Sequence, residues 1–149
     1  MKIVFCSSEV FPFAKTGGLA DVCGSLPIVL EKIGLEVMIV LPAYRAVGQG
    51  NHGIEKVSQR ISRTKLGNIY IYFIENELYY DRDGLYGDRS GDHPDNIERF
   101  SYYCSETLAW LKQLDFQPDV IHCHDWQSAL IPVYLKEKYG RDGFYANTK

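Results

Sequence analysis

The sequence predicts an α/β fold: a Rossmann-like parallel sheet with flanking helices and an inserted β-hairpin. Three observations predict it. Lys2–Ser7 and Glu36–Leu41 are short, β-branched and almost continuously apolar. Strands of that kind are buried on both faces, as in parallel sheets. Between them, Leu19, Val22, Cys23, Leu26, Leu30 and Ile33 recur at three and four, the helical period. A strand, a glycine loop, a helix and a second strand within about 40 residues make a βαβ unit.

The elements follow in order. Glu9–Gly18 is a loop punctuated by Pro12 and Gly17-Gly18. Pro27 falls inside the first helix and predicts a kink or a break there. Gly34 is the predicted stop. Gly48–Gly53 reads as a turn-rich break. Ile54–Arg63 and Asn68–Glu75 read as two strands joined around Leu66-Gly67, the inserted hairpin. Tyr79–Asn96 is a long polar loop, of the length that is functional or disordered. Ile97–Leu114 is a helix with Phe100, Tyr103, Cys104, Thr107, Leu108 and Leu111 on one side. Val120–Cys123 is a strand, and a helix opens at Asp125 or Trp126 and runs through Lys138. Phe144-Tyr145 reads as the approach to a further strand, so the segment reads as an incomplete domain.

Composition narrows the function. The chain has 149 residues, 46% of them apolar, and a formal charge of −3. That length suits one domain. The charge offers no basic field for nucleic acid or an anionic membrane. No apolar run approaches the roughly 20 residues of a spanning helix or the roughly 7–15 of a secretory signal. Cys6, Cys23, Cys104 and Cys123 are widely spaced, without C-x-x-C or C-x-x-H units. Reduced thiols in a cytoplasmic protein fit that spacing better than a zinc site. Eleven tyrosines can stack on sugars, although filling half-buried positions explains most of them.

Two loops carry candidate chemistry. Lys15-Thr16-Gly17-Gly18-Leu19-Ala20-Asp21 follows the first strand and opens the first helix. Ligands of open α/β sheets bind at the carboxyl ends of strands. A helix start presents free N–H groups to an anion, and glycines let it approach. From spacing alone the loop reads equally as a diphosphate cradle or as a tight turn with a solvated lysine. The second loop, His122-Cys123-His124-Asp125-Trp126, also follows a buried strand. Its two histidines share one side of an extended segment. No third and fourth ligand accompanies them, so a structural or substrate role ranks above a metal site. No placed nucleophile completes a triad.

Ser8–Val22, S-E-V-F-P-F-A-K-T-G-G-L-A-D-V, resembles the amino-terminal signature of ADP-glucose-dependent glycogen and starch synthases. D-V-I-H-C-H-D-W at Asp119–Trp126 resembles a second segment of that family. Y-D-R, Y-G-D and D-N-x-x-R-F, from Tyr80 to Phe100, resemble a third, and the matches run in order along nearly the whole chain. The resemblance implies the larger part of the amino-terminal domain of a two-domain GT-B glycosyltransferase, residues 1–149, with the carboxy-terminal nucleotide-binding domain absent. It implies retaining transfer of glucose from ADP-glucose to the non-reducing end of an α-1,4-glucan, with no metal and no cofactor, in the cytoplasm (or a plastid, for a plant protein).

Carried over, Lys15 and Gly18 contact the donor phosphates beside Gly17. Asp21 lies near the nucleotide, and Asp125 is a cleft carboxylate near donor glucose or acceptor. Lys15 and Asp125 are the catalytic candidates. Glu9 positions the loop or binds acceptor; Tyr86 and His124 are candidate sugar contacts. Tyr80-Asp81-Arg82, Gly87-Asp88, Asp95-Asn96 and Arg99-Phe100 are further candidate contacts to glucan hydroxyls. His122 reads as buried, Trp126 as packing under its loop and Asn96 as a helix cap. A non-catalytic glucan-binding or structural segment is the competing reading. The K-T-G-G-L-A-D run argues against sucrose- or trehalose-forming relatives, whose glycine loops differ.

Overall fold

The computed structural model describes residues 1–50 and 52–149. β1 (Lys2–Cys6), α1 (Gly18–Lys32) and β2 (Glu36–Pro42) form the expected βαβ unit. Consecutive residues Val4, Phe5 and Cys6 of β1, and Ile39, Val40 and Leu41 of β2, have no exposed surface. Both faces of the sheet are therefore covered, as their unbroken apolar runs require.

Of the kink or break expected at Pro27, the break does not occur, and α1 runs through it to Lys32. Ala20, Cys23 and Pro27 are its buried residues, and packing of that face outweighs one missing backbone bond. Gly24 lies one turn earlier, where an added Cβ would come within 2.7 Å of the Phe11 carbonyl. Only glycine lets the preceding loop lie this close to the helix. The end of α1 is as expected. Gly34 (φ +91°) donates to Glu31 O, and Leu35 donates to Leu30 O. This pair of bonds is a Schellman motif.

A short helix, α2 (Arg45–Gln49), replaces the first part of the expected Gly48–Gly53 break, whose position 51 lies outside the described residues. The predicted strand Ile54–Arg63 is instead two pieces, β3 (Glu55–Lys56) and β4 (Ile61–Leu66). Gly67, at φ +62°, turns the chain into β5 (Ile69–Ile74). The hairpin is not merely inserted. β5 pairs in parallel with β2, from Met38↔Tyr70 to Pro42↔Ile74, and β4 adds antiparallel on its outer side.

The supposed loop 79–96 has structure of its own. It contains the end of α3 (Glu77–Tyr80) and a ladder between β6 (Gly87–Asp88) and β7 (Gly91–Asp92). α4 (Asn96–Gln113) buries every residue of the predicted apolar side, and Arg99 and Trp110 besides. β8 (Val120–Cys123) pairs in parallel with β1. A 3₁₀ turn, Trp126–Ser128, precedes α5 (Leu130–Glu137). Residues 143–145 form another 3₁₀ turn where a strand approach was expected. Tyr145 is buried there and donates to Leu108 O at 2.5 Å. Lys149 exchanges two backbone bonds with the outer side of β8, at Asp119 and Ile121.

The strand order is β3-β4-β5-β2-β1-β8. The chain moves outward from β1 through β2 to β5 and β4, then crosses back to place β8 on the other side of β1. The direction reverses between β1 and β8. Ligands of doubly wound sheets bind outside the carboxyl ends of the strands at such a point. In this chain it is flanked by the loop after Cys6 and the loop after Cys123.

Candidate functional site

Those two loops are the ones the sequence singled out. After β1, Ser7, Ser8 and Glu9 are buried, although all three are polar. A buried carboxylate must have its oxygens satisfied. Glu9 Oε2 accepts from the backbone N–H of Thr16 at 2.5 Å and of Gly17 at 3.1 Å. Its Oε1 accepts from Thr16 Oγ1 at 2.6 Å and from the Tyr86 hydroxyl at 2.8 Å. Of the two roles the sequence left open for Glu9, this geometry is that of loop positioning. One carboxylate holds Thr16 and Gly17, the middle of the K-T-G-G turn.

Burial pushes the Glu9 carboxyl upward, but the donors from Thr16, Tyr86 and Gly17 outweigh it and leave its pKa below the ordinary 4.5. A depressed carboxyl contributes stability that is present above the unfolded-state value and lost as pH falls through the folded one. Glu9→Gln is expected to cost about 1.5–3 kcal/mol, the range for buried bonds to a charged acceptor. It is also expected to flatten the acid limb of stability. Melting curves of the protein between pH 7 and pH 3 check both; an unchanged acid limb would contradict them.

Gly17 precedes the first residue of α1 and Gly18 opens it; no side chain caps this helix start. Gly17 sits at φ −148°, backbone that any residue adopts. A Cβ added at either glycine would meet nothing within 4 Å. Nothing in this chain therefore requires glycine at either position. Two adjacent glycines leave the uncapped N–H groups of a helix start bare, the geometry that receives a phosphate. Lys15 Nζ reaches over the same turn and meets Asp21 with bonds of 2.6 and 2.7 Å. Lys15 and Asp21 both sit at the mouth, paired with each other.

After β8, His124 N donates to Cys6 O at 3.0 Å, which ties the second loop to the first. Asp125 adopts φ +63°, ψ −178°. This region is close to glycine-only and costs a non-glycine residue about 1–3 kcal/mol. The Asp125 carboxylate accepts from Trp126 N at 2.7 Å and faces solvent. Such strain, in the loop beside the switch point, is the kind found at ligand sites.

His122 was expected to be buried and is exposed, because it lies on β8 at the edge of the described sheet. The His122 and His124 rings lie 4.1 Å apart, and His124 stacks on Phe5 at 5.3 Å. Burial, and then His122, lower the His124 pKa to about 4. Between pH 6.5 and about 4 the unfolded chain binds a proton that the folded chain refuses, so stability falls as pH falls through that window. His124→Phe is expected to remove this part of the acid destabilisation. Melting temperatures at pH 7 and pH 4.5 test it; an equal drop in both proteins would contradict it.

Tyr86 lines the crevice from a third segment. Its hydroxyl bonds Ser8 Oγ at 2.7 Å as well as Glu9, and its ring lies near Phe100 and Trp126. Burial raises the phenol well above its ordinary value; Ser8 pulls it back somewhat and Glu9 pushes it further. Trp126 packs at 5.0 Å on Phe100 but keeps half its surface exposed, so it is only partly under its loop.

Other expectations for this segment are corrected. Tyr80, Arg99 and Phe100 are buried and cannot reach a glucan. Asn96 is the first helical residue, not the cap. Its amide donates to Tyr86 O and its carbonyl accepts from Arg99. Ser8 and Thr16, which organise the site through Tyr86 and Glu9, were not singled out beforehand. Arg99 was named for a different role, and its three-residue spacing from Asn96 on one helix face was the available signal.

The fold matches a known structure. The catalytic domain of starch synthase IV from Arabidopsis thaliana, bound to ADP and acarbose, superposes with a TM-score of 0.86 at 27% identity, over 99% of this chain and 32% of that one. Fold and site thus define a glycosyltransferase segment of GT-B type. The family model of the starch synthase catalytic domain matches residues 2–149. The chain belongs to the starch synthase catalytic-domain family. It is 49% identical to glycogen synthase of Geotalea uraniireducens and 42% identical to glycogen synthase 2 of Geobacter sulfurreducens, each over 99% of this chain. It spans about a third of the length of these curated relatives.

Proposed function

We propose that the whole enzyme transfers glucose from ADP-glucose to the non-reducing end of an α-1,4-glucan, with retention at the anomeric carbon. Residues 1–149 then supply one wall of the active-site cleft, and a second nucleotide-binding domain supplies the other. The observation that carries this reading is the pair Gly17-Gly18. Both leave open space over an uncapped helix start, at the carboxyl edge of a parallel sheet, with a lysine beside them. Likeness to a synthase segment solved with ADP and acarbose supports a nucleotide and a glucan as the two ligands.

Breaking the bond between glucose and diphosphate leaves negative charge on the departing oxygen. In this reading the N–H groups of the helix start and Lys15 stabilise that charge. Lys15 exchanges Asp21 for the phosphates as donor enters. Asp125, on its strained loop across the crevice, accepts from a hydroxyl of donor glucose or of acceptor. His124, neutral at physiological pH, and the Tyr86 ring line the sugar side. Closure of the second domain excludes water, so a glucan hydroxyl and not water attacks. No helix is long and apolar enough to cross a membrane among the described residues. The cytoplasm is the compartment assigned here, as free Cys6, Cys23, Cys104 and Cys123 suit a reducing milieu.

The test is donor and stereochemistry together. The whole enzyme is incubated with maltooligosaccharide and either ADP-glucose or UDP-glucose, and the new linkage is read by proton NMR. Extension by α-linked glucose, faster from ADP-glucose, supports the reading. Preference for UDP-glucose would overturn the donor assignment, and a β linkage would overturn retention.

A further inference from the structure

Arg99 is a charged side chain with no exposed surface. It makes no ion pair: every ion pair found among the described residues is made by other side chains. Its bonds go to neutral oxygens instead. Nε donates to Tyr79 O at 2.8 Å, Nη2 to Leu85 O at 3.1 Å and Nη1 to Asn96 Oδ1 at 2.6 Å. Its own carbonyl accepts from the Tyr80 hydroxyl at 2.8 Å. The guanidinium also lies 5.4 Å from the Phe100 ring centre and 5.9 Å from that of Tyr80. Asp95 acts on it only through space, its oxygens being taken by Arg82. Burying a cation with no ion pair of its own is unfavourable, and an apolar residue of similar volume fills such a space at lower free energy. Filling the core does not account for an arginine here.

The acceptors show what does. Tyr79 in α3, Leu85, and Asn96 at the start of α4 bracket and divide the polar segment that joins the two helices. Leu85 immediately precedes Tyr86, and Asn96 donates to Tyr86 O at 2.8 Å. Arg99 thus fixes the backbone on one side of Tyr86 directly and on the other through Asn96. Tyr86 bonds Glu9, and Glu9 holds Thr16 and Gly17. An unbroken path of bonds runs from the guanidinium to the glycine turn. The guanidinium donates from three separate nitrogens held in one plane, whereas a lysine would have to reach all three carbonyls from a single atom.

We propose that Arg99 is a positioning residue for the active site: it acts through Tyr86 and Glu9 to set the shape of the Lys15–Gly18 turn. The inference rests on the donor-binding reading of that turn.

The experiment uses the whole enzyme and the variants Arg99→Lys, Tyr86→Phe and the double variant. Steady-state ADP release from ADP-glucose with maltooligosaccharide is measured alongside melting temperature. Arg99→Lys is expected to lower kcat/KM roughly 10- to 100-fold, as for losing buried bonds to a charged donor. Tyr86→Phe, which keeps the ring and removes only the hydroxyl with its bonds to Glu9 and Ser8, is expected to lower it by a similar factor. The double variant is expected to be little worse than either single one, because both changes interrupt one path. Hydrogen exchange at the Thr16 and Gly17 amides is expected to quicken in all three.

Multiplicative losses in the double variant, or unchanged exchange at Thr16 and Gly17, would overturn the proposal. If Arg99→Lys and Arg99→Gln both fail to give a folded enzyme, Arg99 serves the whole fold and the proposal also falls. Wild-type enzyme that releases no ADP defeats the functional reading instead, and exchange at Thr16 and Gly17 still decides the positioning role.

Discussion

Lys15→Ala in the whole enzyme is expected to lower turnover roughly 100- to 1000-fold, the cost of removing one group that stabilises developing negative charge. The melting temperature is expected to stay within about 2 °C, because little in the fold depends on this side chain. Its one ion pair, with Asp21, joins groups whose side chains are 45% and 58% exposed. Exposed pairs of that kind contribute about 0–1 kcal/mol. Phe11, whose ring centre lies 5.7 Å from Lys15 Nζ, is itself half exposed. Steady-state kinetics with ADP-glucose and a melting curve on the same preparation make the comparison. Near-normal turnover would contradict the role given to Lys15. Loss of turnover together with loss of the folded state would assign it to the fold.

Gly18→Ala is expected to separate stability from function in opposite directions. A Cβ there meets nothing within 4 Å, and the residue opens a helix. Alanine is therefore accommodated and is expected to stabilise the protein by about 0.4–1 kcal/mol by restricting the unfolded chain. A Cβ in a helix leans toward the amino terminus, into the space where a phosphate would approach the N–H groups. Placing a methyl group against a bound ligand costs about 1–3 kcal/mol, which is roughly a 5- to 150-fold loss in donor affinity. Isothermal titration with ADP against wild type measures it. Raised melting temperature with unchanged ADP affinity would mean that the bare glycines serve no phosphate.

The elements legible in the sequence were those whose apolar pattern reports local burial. β1, β2 and β8 were placed within a residue or so, and the buried side of α4 was named residue by residue. The misreadings have a common physical origin in long-range packing. The β4–β5 hairpin announces itself through Gly67, but nothing local says that β5 also lies in parallel against β2, so it reads as an insertion. Pro27 predicts a kink or a break by backbone chemistry alone, and α1 runs through it unbroken because the packing of its buried face outweighs the missing bond. His122 reads as buried because it follows apolar residues, yet its strand lies at the edge of the described sheet.

The candidate site divides in the same way. The loops of Lys15, Gly17 and Gly18 and of Asp125 were visible because each is contiguous in sequence and sits where a strand meets a helix, while the roles expected of Asp21 and Asp125 came from the family resemblance. The network beneath them was not. Glu9 and Thr16 are separated by an aperiodic loop. Tyr86 lies 77 residues from Glu9. Arg99 sits in a helix whose exposed and buried faces were read from apolar residues only. Polar side chains carry no periodic signal, so the fold must be known before their bonds can be traced.

The central claim is that this chain supplies the donor-phosphate side of a glucan-extending active site. The most direct measurement is made on the whole enzyme with ADP-glucose and a single maltooligosaccharide. ADP release is followed by coupled assay, and the oligosaccharide mass is read at each time point. One glucose added for each ADP released, with both rates falling together in Lys15→Ala, is the predicted result. ADP release without chain extension, or extension that persists at the wild-type rate in Lys15→Ala, would contradict it.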